Sequence, residues 1–179
     1  MAMRMLGAGG LPLLVDDRRA ADTSNPLGYF EYEPVKSLDR DGGGDWLAPA
    51  RGRGVKIVSW LLTYLPESYD YQVVFMERAL EEVIASQHTM LEARGEPRGA
   101  DEARTRALYV EHLAQVERFL ARRRCFDVLR LDHGRVLADP GGESQRLQAF
   151  LDRRLDVAAM AAAVDRSLHR HTKRGLPHC

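Results

Sequence analysis

Lysine is rare in this chain, and neither sign of charge is in excess. Lys36, Lys56 and Lys173 are the only lysines among 26 basic residues, so arginine carries nearly all the positive charge, in planar groups suited to phosphate or carboxylate. The 26 acidic residues bring the formal net charge to zero, which removes the bulk attraction toward nucleic acid or an anionic membrane. Any anion that the chain binds must therefore be bound locally.

Cysteines and long apolar runs are also scarce. Cys125 and Cys179 have no metal-ligand spacing, which suits a reducing compartment. No apolar run reaches the roughly 18 residues needed to span a bilayer, and the opening "MAMRMLGAGG" has no signal-peptide core or cleavage site. The sequence predicts a soluble cytoplasmic protein with neither a membrane nor a nucleic acid as partner.

The length of 179 residues favours one hydrophobic core over two. We predict one α/β domain over residues 1–168 and a flexible polar tail over residues 169–179. The histidines and the cysteine of that tail are expected to be solvated, because a metal site needs supporting contacts that a loose tail lacks.

Short apolar runs alternate with helical patterns along the domain. The predicted strands are 11–15, 55–59, 71–76 and 126–131. The predicted helices are 1–6, 33–38, 79–94, 101–124, 142–154 and 157–165, with a short helical or irregular piece at 60–65. Strands that alternate with helices are typical of a doubly wound parallel sheet, so the predicted fold class is α/β of this type.

An arginine and a serine stand out in "YQVVFMERALEEVIASQ", where a strand meets a helix. Ligands of open α/β sheets lie beyond the carboxyl ends of the strands, where Arg78 is placed beside the positive N-terminus of helix 79–94. Ser86 follows about 12 Å along that helix. We predict that both residues bind one anionic group. Alternatively, Arg78 pairs with Glu81 or Glu82, and Ser86 is a small residue at a helix contact.

The order of these features resembles the sulfotransferase family that uses 3′-phosphoadenosine 5′-phosphosulfate (PAPS). The similarity covers nearly the whole chain and includes "AGGLPLLVDDRRAADTSNPLGYFEYEPVK" and "VLRLDHGRVLADP", as in bacterial members. The resemblance implies a P-loop-like α/β fold, with PAPS as cofactor and sulfuryl transfer to a hydroxyl or amine of a small-molecule or carbohydrate acceptor. It also implies that Arg78 and Ser86 bind the 3′-phosphate of the cofactor.

One part of the family pattern is missing. Such sulfotransferases begin with a strand and a Gly-rich loop of the type "GLPRSGTS", whose backbone N–H groups bind the 5′-phosphosulfate. Here "MAMRML" resembles the helix that follows the loop, so we expect a domain truncated at its N-terminus. Sheet edges left by the absent strand could pair with another chain, for example in a homo-oligomer. The alternative function is then a non-catalytic interaction or scaffold subunit derived from the fold.

Activation of the acceptor needs a base close to the transferred group. Glu31 and Glu33 follow the first predicted strand, and related sulfotransferases carry a glutamate base in a similar region, so the resemblance makes either one the candidate. Both could equally belong to a solvated turn and a helix cap. Lys56, inside an apolar run, must reach solvent or contact an anion and is a further catalytic candidate.

We expect the 179-residue chain to bind the cofactor weakly and to transfer no sulfuryl group by itself. One arginine and one serine supply about 3–5 kcal/mol, which corresponds to millimolar binding at best. Without the Gly-rich loop, no group stabilises the charge that develops on the bridging oxygen. Transfer of labelled sulfate from PAPS to any acceptor would contradict this expectation.

Overall fold

The computed structural model describes residues 1–16, 18, 28–41, 44–93, 95 and 101–165. The predicted tail over 169–179, with Cys179, lies outside these residues. Within them the chain is a mixed α/β protein that contains one small parallel sheet and is otherwise mostly helical. No helix in this part of the chain is both long and apolar enough to cross a membrane.

The sheet has two strands, β1 (Tyr71–Glu77) and β2 (Phe126–Asp132). They run parallel, with Tyr71 opposite Phe126 and Glu77 opposite Asp132. The predicted strands 71–76 and 126–131 are therefore confirmed, each with one further residue. The two long helices Leu80–Ala93 and Glu102–Arg122 lie between them in the chain, because a parallel pair requires a crossover connection.

Seven α-helices are present among the described residues. They are α1 (Ala2–Ala8), α2 (Leu38–Asp41), α3 (Leu80–Ala93), α4 (Glu102–Arg122), α5 (His133–Ala138), α6 (Pro140–Leu151) and α7 (Val157–Ala162). Three 3₁₀ helices cover Glu33–Ser37, Gly44–Trp46 and Ser59–Tyr64. All the helices predicted from the sequence that fall in described segments are thus found, although several ends differ, and the predicted helix 33–38 is a 3₁₀ helix. The helix α5 and the 3₁₀ helix Gly44–Trp46 were not predicted.

Aspartate begins four of the α-helices in the same way. The side chains of Asp101, Asp132, Asp139 and Asp156 each accept a hydrogen bond from the backbone N–H three residues on. This contact satisfies an N–H group that would otherwise lack a partner in the first turn, and it stabilises the helix by about 1 kcal/mol. Asp132 therefore ends β2 and starts α5, which explains why a helix follows the strand without a loop.

The two faces of the sheet bury two separate hydrophobic cores. On one face, Val74 and Met76 of β1 pack against a core built mainly from α1, α6 and α7. On the other face, Val73 and Phe75 pack against a core built from the 3₁₀ helices and α4. Alternate strand residues thus face opposite cores, as the period of two requires.

Two predicted strands, 11–15 and 55–59, are wrong. Neither segment forms a strand, and an isolated parallel bridge joins Leu13 to Gly54, the residue just before the second segment. A strand is stabilised by a partner along its whole length, and the segment beginning at Gly54 is separated from β1 by a cavity. The apolar character of the two runs does not reveal whether a neighbour lies within hydrogen-bonding distance, and each run ends near an exposed valine, Val15 in the first and Val58 in the second.

We expect Gly9→Ala to destabilise the fold by about 1–3 kcal/mol through overpacking. The φ angle of Gly9 is −72°, which suits any residue, but an added Cβ would lie 2.5 Å from Cγ of the fully buried Met160. Chemical denaturation measures the loss. Gly141→Ala is the matched control, because its Cβ would meet nothing closer than 3.8 Å.

The cost of Gly9→Ala should shrink when Met160 is already alanine, because the crowded atoms are then absent. An equal cost in the two backgrounds would show that the loss does not arise from the contact between α1 and α7.

Candidate functional site

A cavity of about 1120 Å³ lies between β1 and the extended segment 54–57. All seven residues of β1 line it, and so do Lys56 and Ser59 on the opposite side. At the carboxyl end of β1 its wall continues through Arg78 into the first turn of α3 and includes Tyr109 of α4. The volume slightly exceeds the roughly 300–1,000 Å³ of typical small-molecule sites.

Arg78 lies where the sequence placed it, directly after β1 and just before α3. Its Nε donates a hydrogen bond of 2.8 Å to Oε2 of Glu82, one turn into the helix. About a quarter of each side chain is exposed, at 24% for Arg78 and 23% for Glu82. The ion pair that was the alternative interpretation is therefore present, and Arg78 also lines the cavity. Its partner is Glu82 and not Glu81, which instead contacts Arg106.

Ser86 is half-buried on α3 and does not line the cavity. Its neighbour Gln87 donates a hydrogen bond to the hydroxyl of Tyr109, which ties α3 to α4. The structure gives no contact between Arg78 and Ser86, so their joint role stays a prediction.

The candidates Glu31, Glu33 and Lys56 belong to one ionic cluster. Nζ of Lys56 donates a 2.9 Å hydrogen bond to the carbonyl oxygen of Tyr29 and lies 3.8 Å from Oε1 of Glu31. Lys36 lies 3.8 Å from the other carboxylate oxygen of Glu31 and donates a 2.8 Å bond to Glu33. Of the three candidates, Lys56 lines the cavity. Glu31, at 23% exposure, is better buried than Glu33 at 40%.

The backbone before Glu31 is strained. Phe30 has φ of +51°, in the left-handed region that a bulky side chain seldom adopts. Asp16 holds this turn on both sides of Tyr32: its N–H donates to the carbonyl of Glu31 at 2.8 Å, and its carboxylate accepts the N–H of Glu33 at 2.6 Å. The second bond lowers the pKa of Asp16, because it favours the charged form. The position of Glu31 is thus set by a specific backbone arrangement.

A serine and a histidine that were not predicted as site residues meet beside the cavity. Oγ of Ser59 lies 2.8 Å from Nε2 of His112, whose ring stacks on Trp60 at 3.5 Å between centroids. His112 is only 5% exposed, and burial lowers its pKa. The spacing of the sequence indicates that His112 is buried, since His112, Val116 and Leu120 are four residues apart and all three are buried on α4. The spacing does not indicate that Ser59 is its partner.

We expect His112 to make the fold less stable in mild acid. Because its folded pKa lies below the usual value of about 6.5, its contribution is fully present above that pH and is lost as the pH falls toward the folded pKa. Urea denaturation at pH 7, 6 and 5 should show a smaller acid-dependent loss for His112→Gln than for the unmodified chain.

His112→Gln should also lose about 1–2 kcal/mol at pH 7, since the stack and the bond to Ser59 are disturbed. His88→Gln, on α3, is the matched control and should keep the pH dependence of the unmodified chain. If the free energy of unfolding falls equally with pH in all three proteins, the role given to His112 is contradicted.

Comparisons with known proteins leave the family of this chain open. No protein-family model matches the sequence, and neither a curated protein nor a solved structure is significantly similar to it. The resemblance to PAPS-dependent sulfotransferases therefore depends on the residues and motifs of the sequence, and the functions that it implies are proposals.

Proposed function

We propose that this chain is a sulfotransferase-type protein, derived from a doubly wound P-loop-like fold, which binds the 3′-phosphate of PAPS at the carboxyl end of β1. Arg78 and Ser86 would hold that phosphate. The observation that carries the proposal is that Arg78 lines the cavity at this edge of the sheet, where ligands of open α/β proteins bind.

The donors of Arg78 fit one phosphate group. A guanidinium has five N–H donors, and Glu82 is bonded through Nε. The two terminal nitrogens of Arg78 make no hydrogen bond to another described residue, so a phosphate could use them while the pair with Glu82 persists. Paired donation from a guanidinium to phosphate is strong and geometrically specific.

The charge around Arg78 limits the affinity. Glu82 is in contact with it, and Glu77 and Asp132 line the same end of the cavity. A phosphate placed there meets these carboxylates as well as the guanidinium, and like charges repel at close range. Weak binding, in the millimolar range, follows from the same contacts that position the arginine.

Glu31 suits the role of base better than Glu33. It lies next to Lys56, which lines the cavity, and its turn is held by Asp16. Glu33 is more exposed and bonds Lys36. In the sulfuryl transfer that the resemblance implies, the acceptor oxygen or nitrogen would bond to sulfur as the sulfur–oxygen bond to the 5′-phosphate breaks and adenosine 3′,5′-bisphosphate leaves. The Glu31 carboxylate would accept the proton of the acceptor hydroxyl or amine, and Lys56 would stabilise negative charge on the transferred group.

An interaction subunit is the second candidate function, and a separate observation favours it. β1 is paired with β2 on one side, and its other edge has no strand partner among the described residues. An unpaired strand edge readily pairs with another chain.

Saturation-transfer NMR with adenosine 3′,5′-bisphosphate tests the nucleotide site at the expected millimolar affinity. Adenosine 5′-monophosphate, which lacks the 3′-phosphate, should bind at least several-fold more weakly. Arg78→Ala should weaken binding of the bisphosphate by about 10–100-fold, the value of one or two charge-assisted hydrogen bonds. Ser86→Ala should have a smaller effect of the same sign.

Arg106→Ala is the matched control, because Arg106 also pairs with a glutamate of α3, namely Glu81, but does not line the cavity. It should leave binding unchanged. Glu82→Gln should tighten binding about fivefold, since one repelling charge is removed. The assignment of the nucleotide site to Arg78 is wrong if the Arg78→Ala and Arg106→Ala variants bind adenosine 3′,5′-bisphosphate with the same affinity.

A further inference from the structure

The free edge of β1 presents unpaired backbone groups to the cavity. The N–H of Tyr71 donates to the carbonyl of Cys125, so Tyr71 directs its backbone groups toward β2. Successive residues of a strand direct them to opposite sides. Gln72, Val74 and Met76 therefore direct three N–H and three C=O groups away from β2, toward the cavity.

The opposite side of the cavity is also extended backbone. Gly54 donates its N–H to the carbonyl of Pro12 and accepts the N–H of Leu14, each at 2.8 Å. The segment 11–14 thus lies on the far side of segment 54–57, and the cavity lies on its near side. In order across the molecule come segment 11–14, segment 54–57, the cavity, β1 and β2.

The cavity is apolar toward both cores. Leu6 and Leu11, from the core on one face of the sheet, and Leu62 and Leu65, from the core on the other face, all line it. No residue of β1 is fully buried, although the strand lies between the two cores. An occupant that fills this space must carry apolar side chains on both of its faces, as a central strand of a parallel sheet does.

Opposite charges lie at the two ends of the cavity. Arg51, Arg53 and Arg153 line the end where β1 begins, together with Asp70, the residue just before the strand. None of the three arginines forms an ion pair with a carboxylate among the described residues, so three guanidinium groups against one carboxylate leave an excess of positive charge. The carbonyl of Gly52 accepts a 3.2 Å hydrogen bond from Arg153, which holds this end together. The three arginines form a positive rim.

The other end is negative. Glu77, Glu117 and Asp132 line it, and Arg130 contacts the first two of these carboxylates at once. Arg78 lines this end as well, but Glu82 offsets its charge, so the three carboxylates and the shared guanidinium of Arg130 leave an excess of negative charge. An occupant is therefore favoured if it is acidic where β1 begins and basic where β1 ends.

We propose that the cavity is a docking groove for an extended apolar strand of a partner protein, flanked by acidic residues before it and basic residues after it. The strand pairs in parallel with the β1 edge through Gln72, Val74 and Met76, because the pairings on both sides of the groove are parallel. A strand of about seven residues matches the length of β1. This inference does not depend on nucleotide binding.

A labelled peptide tests the groove by fluorescence anisotropy. Its core is seven Val and Ala residues, preceded by two Asp and followed by two Lys. It should bind at least tenfold more tightly at 20 mM salt than a peptide with the Asp and Lys pairs exchanged, and the difference should shrink at 1 M salt. N-methylation of alternate backbone nitrogens should abolish binding, since the pairing N–H groups are lost.

Arg53→Glu/Arg153→Glu should weaken the Asp-first peptide at least tenfold. Arg118→Glu/Arg154→Glu changes the net charge equally at exposed positions outside the cavity, and it should leave binding unchanged. Circular dichroism checks that both variants are folded.

Three outcomes would overturn the proposal. One is an N-methylated peptide that binds as well as its parent, which would show a non-specific apolar contact. Another is tighter binding of the Lys-first peptide, which would reverse the orientation. The third is a stable dimer in sedimentation that excludes the peptide, which would make a second copy of the chain the occupant.

Discussion

The parallel pairing of β1 with β2 is the contact on which the rest of the structure depends. Because alternate residues of β1 face opposite sides, this one strand separates the core of α1, α6 and α7 from the core of α4 and the 3₁₀ helices. The same alternation sends the backbone groups of Gln72, Val74 and Met76 to the unpaired edge. Packing on both faces and an open edge thus have a common geometric cause.

At the carboxyl end of β1, the carboxylates of the chain and any incoming anion compete for the same guanidinium groups. Arg78 is held by Glu82, and Arg130 is shared by Glu77 and Glu117. These pairs fix the arginine side chains in place, but they also surround any incoming anion with carboxylates. At the opposite end of the cavity, Arg51, Arg53 and Arg153 form no ion pair with a carboxylate of the part of the chain that the structure describes. The charge of the cavity wall therefore changes sign along the direction of β1.

Local signals in the sequence predicted most of the elements. The apolar runs at 71–76 and 126–131 became strands, and helical patterns such as 101–124 and 157–165 became α4 and α7 with somewhat different ends. The helix α5 was missed because it begins at His133, directly after the last residue of β2, without a loop to mark it. Residues 11–15 and 55–59 were not paired as strands, since pairing depends on the distance to a neighbour and not on the apolar run itself.

At the candidate site, the position of Arg78 was predicted correctly. The contact between Ser59 and His112 joins residues 53 apart, and no local pattern in the sequence indicates that these two are partners.

The sequence by itself determined the position of Arg78 after an apolar strand, the zero net charge and the helix starts, because each depends on neighbouring residues or on composition. Only the tertiary structure decided that Arg78 pairs with Glu82 rather than with Glu81, that Glu31 meets Lys56, and that an apolar cavity separates β1 from segment 54–57. The physical reason is that these features depend on distances between elements remote in the chain, which are set by how two cores pack on the sheet.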